Sequence, residues 1–320
     1  MDDHFGDRLV QAVRDKGTAG CVGFDPVLMK LPPALLQKSG LQLGDDGLPN
    51  CRDDVAAAIG VIETYGAGLI EIVARHVPVM KINIAYFEVF YEAGIAAYLR
   101  LVKLARDAGL LVIGDVKRSD IGHTAAQYAQ AQMRGIAGQD GDDATPDAIT
   151  LNPYFGSDGI DPFVEVSKDT GRGMFLLVQT SNPSADQIQG LKFADGDTVC
   201  QKIAKLVDDW AGQQELIGES GYSTMGAVVS PRDLPSTEYI RSLMPRSIFL
   251  VPGFGAQGRS VDEVARCFKD DGTGAIVAAS RSVMYAYANG VYAGEHGDDW
   301  KSCIDHACRD FAGQIKSVMA

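Results

Sequence analysis

Short runs of consecutive apolar residues alternate along this chain with longer stretches whose apolar positions recur every three or four residues. The short runs lie at 20–25 (GCVGFD), 77–83 (VPVMKIN), 110–117 (LLVIGDVK), 148–153 (AITLNP), 174–180 (MFLLVQT), 225–230 (MGAVVS), 248–253 (IFLVPG) and 275–280 (AIVAAS). Runs that are apolar on both faces suit parallel strands covered by helices. The periodic stretches at 52–66, 96–109, 198–214, 260–272 and 298–320 suit the covering helices, the last as a terminal helix. Eight strand–helix repeats over roughly 250 residues predict an α/β fold of the (β/α)8 TIM-barrel type, with a doubly wound open sheet as the competing arrangement. No Pro-, Ser- or Gly-rich linker divides the chain. Residues 1–320 therefore read as a single barrel domain with loop insertions near 31–50 and 182–195.

Charge narrows the partners. The 320 residues carry a formal net charge of −13, and the sequence pI is about 4.8. Such a field repels nucleic acid and anionic membranes, so neither is an expected partner. It also opposes an anionic substrate, so any anion site must be assembled locally from Arg, Lys and backbone N–H groups. No apolar run reaches the ~18 residues of a membrane span. The start, MDDHFGDRLV, is acidic and lacks a signal-peptide core. Cys21, Cys51, Cys200, Cys267, Cys303 and Cys308 are scattered without a C-x-x-C pair, as expected of reduced thiols in the cytoplasm.

Polar chemistry collects where the expected strands end. Asp25 closes the first, Lys81 lies in the second, and Asp115 and Lys117 close the third. Thr180-Ser181-Asn182 follows the fifth, PGFGAQG (252–258) the seventh, and Arg281 the eighth. In a barrel these ends form the catalytic face. Asp115 and Lys117 are two apart, so an extended strand brings both to one face, with Lys81 and Asp25 as candidates to join them. Their bland reading is a structural ion-pair network, although buried pairs seldom stabilise a fold. Asp120, three residues past Lys117, reads locally as a solvated or helix-capping carboxylate. The glycines at 252–258 let backbone N–H groups approach an anion, and Arg281 can grip phosphate with two hydrogen bonds. His123 reads as a loop or capping residue. The CIDHAC run (303–308) lacks a fourth metal ligand, so no metal is expected there, and no dinucleotide fingerprint is present.

DVKRSD (115–120) matches the Asp-x-Lys-x-x-Asp signature and resembles the orotidine 5′-phosphate decarboxylase family. GFDP (23–26), KINIAYFE (81–88), TSNPSA (180–185), PGFGAQG and ASR (279–281) are similar to its longer bacterial subgroup. The resemblance implies a homodimeric barrel that converts orotidine 5′-monophosphate to uridine 5′-monophosphate and CO2 without metal or organic cofactor. It implies that Asp25 binds a ribose hydroxyl and Lys81, and that Lys81 holds Asp115 and ribose. Lys117 would protonate C6 of the pyrimidine. Asp120, Ile121 and Thr124 would enter the neighbouring subunit's site. Ser181 would contact the pyrimidine, and Gln257 and Arg281 would hold the phosphate. Loops 181–195 and 254–262 are candidate lids. Ser280 stands where many relatives have Gly, either as a phosphate contact or as filler. The rival functions are a metal-dependent sugar-phosphate lyase of the same barrel superfamily, a Schiff-base aldolase using Lys117, and a non-catalytic nucleotide-binding barrel.

Overall fold

All eight expected strands form, and they close in sequence order into one parallel barrel. The structure is a computed structural model and describes residues 4–135, 144–255, 260–288 and 290–319. The strands are β1 (Gly20–Phe24), β2 (Val79–Asn83), β3 (Leu111–Arg118), β4 (Ala148–Leu151), β5 (Gly173–Gln179), β6 (Met225–Val229), β7 (Phe249–Val251) and β8 (Ala275–Ala279). β8 pairs with β1 and shuts the ring.

Register decides which side chains share the interior. Gly23 pairs with Lys81 and Lys81 with Ile113, while Asn83 pairs with Asp115. On the far side Leu177 pairs with Val228, and Val228 with Leu250. Alternation along each strand sends the other residues out against the helices. The N-terminal end of the barrel is plugged by Phe5, the first residue of the helix Phe5–Lys16. Its ring meets Phe175 edge to face at 5.8 Å. A Cβ on Gly173 would lie 2.2 Å from that ring, so only glycine fits there. At the same end the fully buried Asp147 accepts Arg8 at 2.7 Å, Arg172 at 3.1 Å and the Val112 N–H at 2.8 Å. This is the structural ion pairing that charges at strand ends can represent, and it sits away from the catalytic face.

Three elements differ from the sequence pattern. The stretch at 260–272 is helical only over Val261–Ala265, because Cys267 and Phe268 turn inward and are buried. The helix Arg52–His76 runs ten residues beyond its expected end at 66. Within it, the stretch Asp54–His76 is long and apolar enough by composition to cross a membrane. Ile62, Tyr65, Leu69 and Val73 on that helix are fully buried in the core, which explains its apolar character. The insertion at 31–50 contains the helix Pro33–Ser39 and a bridge between Leu43 and Pro49.

Candidate active site

Side chains from three consecutive strands converge on Asp115. Its Oδ2 accepts Lys81 Nζ from β2 at 2.6 Å. Its Oδ1 accepts Thr150 Oγ1 from β4 at 2.9 Å and also the ammonium of Lys117. Burial favours the neutral acid, but the two ammonium groups outweigh it and hold Asp115 well below the usual carboxylate range. Burial likewise draws Lys81 down, and Asp115 and Asp25 more than reverse this, leaving its pKa above that of an ordinary lysine. The cluster is therefore a fixed carboxylate between two cations, one buried and one, Lys117, half exposed.

Asp115 and Lys117 do meet, but not by regular alternation. Lys117 has φ +43°, and the β3–β4 register shifts between Gly114 and Arg118. A left-handed conformation crowds a non-glycine side chain, and it persists where neighbours hold it. Here Thr150 Oγ1 accepts the Lys117 N–H at 3.0 Å. Thr150 thus orients both charged residues, a role that sequence reasoning missed. Its only signal was a hydroxyl inside an otherwise apolar strand.

Above the cluster opens a cavity of about 880 Å³. One wall is polar, with Lys81, Asp115, Lys117 and Thr150. The facing wall is apolar, with Leu177, Val228, Leu250 and Ala278. Ser181 lines its rim between Thr180 and Asn182. The loop at 182–198 forms the outer side, where Gln189 Oε1 accepts the Thr180 N–H at 3.0 Å. Lys202 ties it to the helix Val199–Ala211 through Asp195 and, at 3.0 Å, Asp197.

Asp25 and Arg281 lie on the β1–β8 side, outside these walls, and both charges act on Tyr86. Asp25 influences Lys81 through its charge, with no hydrogen bond between them among the described residues. One Asp25 oxygen, Oδ1, is buried without a hydrogen-bond partner. Arg281 is exposed and opens the short helix Arg281–Met284. Ser280 packs against Gly23, where an added Cβ would lie 1.9 Å from its Oγ. Gln257 lies outside the described residues.

Asp120, Ile121 and Thr124 follow β3 outside the residues that line the cavity, and Ile121 and Thr124 are exposed. Asp120 Oδ1 accepts the N–H of Ile121 at 2.8 Å, and Ile121, not Asp120, occupies the N-cap position of the helix Gly122–Ala129. Among the described residues no bond joins Asp120 to Lys117. Ile121 is 52% exposed, and Tyr154 and Phe155 beside it are 75% and 51% exposed. Asp120 and Phe155 crowd the same residue, Gly159, so these groups form one surface. His123 is exposed, and Cys303 and Cys308 are buried on the helix Trp300–Val318.

Fold and site together define a (β/α)8-barrel enzyme with an acid–base cluster at the C-terminal ends of its strands. The chain belongs to the orotidine 5′-phosphate decarboxylase / HUMPS family, whose model matches residues 67–295. It is 36% identical to the orotidine 5′-phosphate decarboxylase of Rhodopirellula baltica over 98% of this chain and 99% of that protein. It is 33% identical to that of Clostridium novyi over 88% of each. A crystal structure from Streptomyces avermitilis, provisionally named orotidine 5′-phosphate decarboxylase, is similar with TM-score 0.75 and 31% identity, over 99% of this chain and 96% of that one. Leishmania donovani OMP decarboxylase shares the fold at TM-score 0.70 and 24% identity, over 99% of this chain and 98% of that one.

Proposed function

We infer that the chain removes CO2 from orotidine 5′-monophosphate to give uridine 5′-monophosphate. The observation that carries this is the Lys81–Asp115–Lys117 cluster facing an apolar wall across a cavity at the strand ends. The bond from C6 to the carboxylate breaks and its electron pair stays on C6. A fixed ammonium stabilises that charge as it develops. The Lys117 ammonium then gives a proton to C6, and solvent reprotonates the amine, which is half exposed. The electron pair never leaves the substrate, so the step balances without a redox or metal partner.

Asp115 stands where the substrate carboxylate enters, and two carboxylates 4 Å apart repel by roughly 4 kcal/mol at an effective dielectric of about 20. Binding energy from the remote phosphate offsets that cost. Arg281 and Gln257 hold the phosphate, Ser181 the pyrimidine, and Asp25 a ribose hydroxyl. The unpartnered Oδ1 of Asp25 supports the last assignment, since a buried acceptor is best satisfied by a bound donor.

The active unit is a homodimer in which Asp120, Ile121 and Thr124 complete the neighbouring site. Support comes from the exposed apolar surface of Ile121, Tyr154 and Phe155 beside Asp120. Six cysteines scattered along the chain without a C-x-x-C pair favour the cytoplasm. A metal-dependent sugar-phosphate lyase is the weaker reading, because both Asp115 oxygens already carry ammonium partners.

Turnover in D2O tests the reaction. Uridine 5′-monophosphate labelled with deuterium at C6, formed equally with and without EDTA, is the expected product. Loss of turnover with EDTA, or no product from the folded dimer, contradicts it.

A further inference from the structure

The segment that follows β8 reaches back to the loop that follows β1. Arg281 begins this segment, and the N–H of Tyr285, one turn later, bonds the Arg281 carbonyl at 3.2 Å. The Tyr285 hydroxyl donates to the carbonyl oxygen of Asp25 at 2.9 Å and accepts the N–H of Val27 at 2.9 Å. Burial pushes this phenol up to about 12, so it remains a donor at neutral pH. Two further tyrosines anchor the same segment. Tyr287 donates to the carbonyl of Lys30 at 2.6 Å, and Tyr65 donates to the carbonyl of Met284.

The Asp25 side chain, by contrast, has no anchor on Oδ1. An acceptor left open in a buried place costs stability, and the direction it points depends on its backbone. Among the described residues the side chain that holds this backbone is Tyr285, through its hydroxyl.

We propose that Tyr285 is a positioning residue, clamping the backbone of Asp25 so that its open carboxylate oxygen meets the substrate ribose and linking that contact to Arg281 one turn away. The clamp rests on the assignment of Asp25 to a ribose hydroxyl. It makes the ribose and phosphate contacts parts of one rigid unit, because Arg281 and the Asp25 clamp share five consecutive residues. Tyr287 grips Lys30 instead and does not touch Asp25.

The test compares binding of uridine 5′-monophosphate with its 2′,3′-dideoxy analogue. Tyr285→Phe keeps the ring and removes only the hydroxyl. It is expected to weaken the ribonucleotide about fivefold while the dideoxy analogue changes by under about twofold, the scale of one lost hydrogen bond. Tyr287→Phe is expected to preserve the wild-type preference between the two ligands. Asp25→Asn supplies the reference, since it should erase that preference. Equal weakening of both ligands by Tyr285→Phe, or none, overturns the clamp while leaving Asp25 in place. A preference that survives Asp25→Asn overturns the ribose assignment and the clamp with it.

Discussion

Thr150 and Lys117 are joined side chain to backbone: the Lys117 N–H donates to Thr150 Oγ1 at 3.0 Å while Lys117 holds a φ of +43°. The same hydroxyl donates to Asp115 at 2.9 Å. One side chain on β4 therefore sets the geometry of two charged groups on β3. Thr150→Val keeps the shape and removes both bonds. Asp115 Oδ1 keeps its ammonium partner, but the Lys117 N–H is left unpaired, which costs about 1–3 kcal/mol. Urea unfolding should show a loss in that range, and kcat should fall by about 10- to 100-fold as Lys117 moves off its line to the substrate. Unchanged kcat would show that Lys117 finds its conformation without Thr150.

The pKa shifts set a pH window for stability. Asp115 is depressed in the folded state, so its contribution is complete above the unfolded carboxylate pKa of about 4 and is lost as pH falls toward the folded value. Lys81 is raised, so its contribution is complete below the unfolded lysine pKa of about 10.4 and is lost only at higher pH. Asp115→Asn leaves Lys81 buried without its partner, a change worth about 3–5 kcal/mol. Denaturant unfolding across pH should give that difference throughout pH 5–9 and a shrinking one under more acid conditions.

Arg281 is exposed at the start of its helix and holds no ion-pair partner among the described residues. Arg281→Ala should weaken uridine 5′-monophosphate by about 1.5–3 kcal/mol, the scale of charge-assisted bonds, and leave uridine nearly unchanged. Calorimetric titration with both ligands reads this directly. Equal losses would remove Arg281 from the phosphate site.

Much of this site is legible in the sequence because its parts interrupt a strong pattern. Lys81, Asp115 and Lys117 stand out as charges at the ends of strands that are otherwise buried on both faces. Thr150 does not stand out, since threonine is an ordinary strand former and its two bonds depend on β3–β4 register. Nothing local marks Lys117 as left-handed. Tyr285 is illegible for another reason: its bond to Asp25 spans 260 positions and arises only when β8 closes the barrel against β1. The helix Arg52–His76 outran its pattern at Gly66 because Leu69 and Val73 continue the buried face beyond that glycine.

Asp120 has its capping neighbour but no bond to Lys117 in its own chain, which sets up a complementation experiment. Lys117→Ala and Asp120→Asn should each be inactive alone. If each site takes Lys117 from one subunit and Asp120 from the other, a mixed dimer has one intact site. Co-refolding equal amounts should then restore about one quarter of wild-type activity, since half the dimers are mixed and each carries one of two sites. Recovery no greater than the sum of the two variants would place Asp120 outside the neighbouring site.

The most direct measurement follows loss of orotidine 5′-monophosphate absorbance by the wild-type protein and by Lys117→Ala, with uridine 5′-monophosphate affinity measured for both. Rapid turnover by the wild type, nearly abolished in the variant while nucleotide affinity holds, is the predicted result. Near-normal turnover by Lys117→Ala would contradict the assignment of the proton to this lysine, and no turnover by the wild type would contradict the reaction itself.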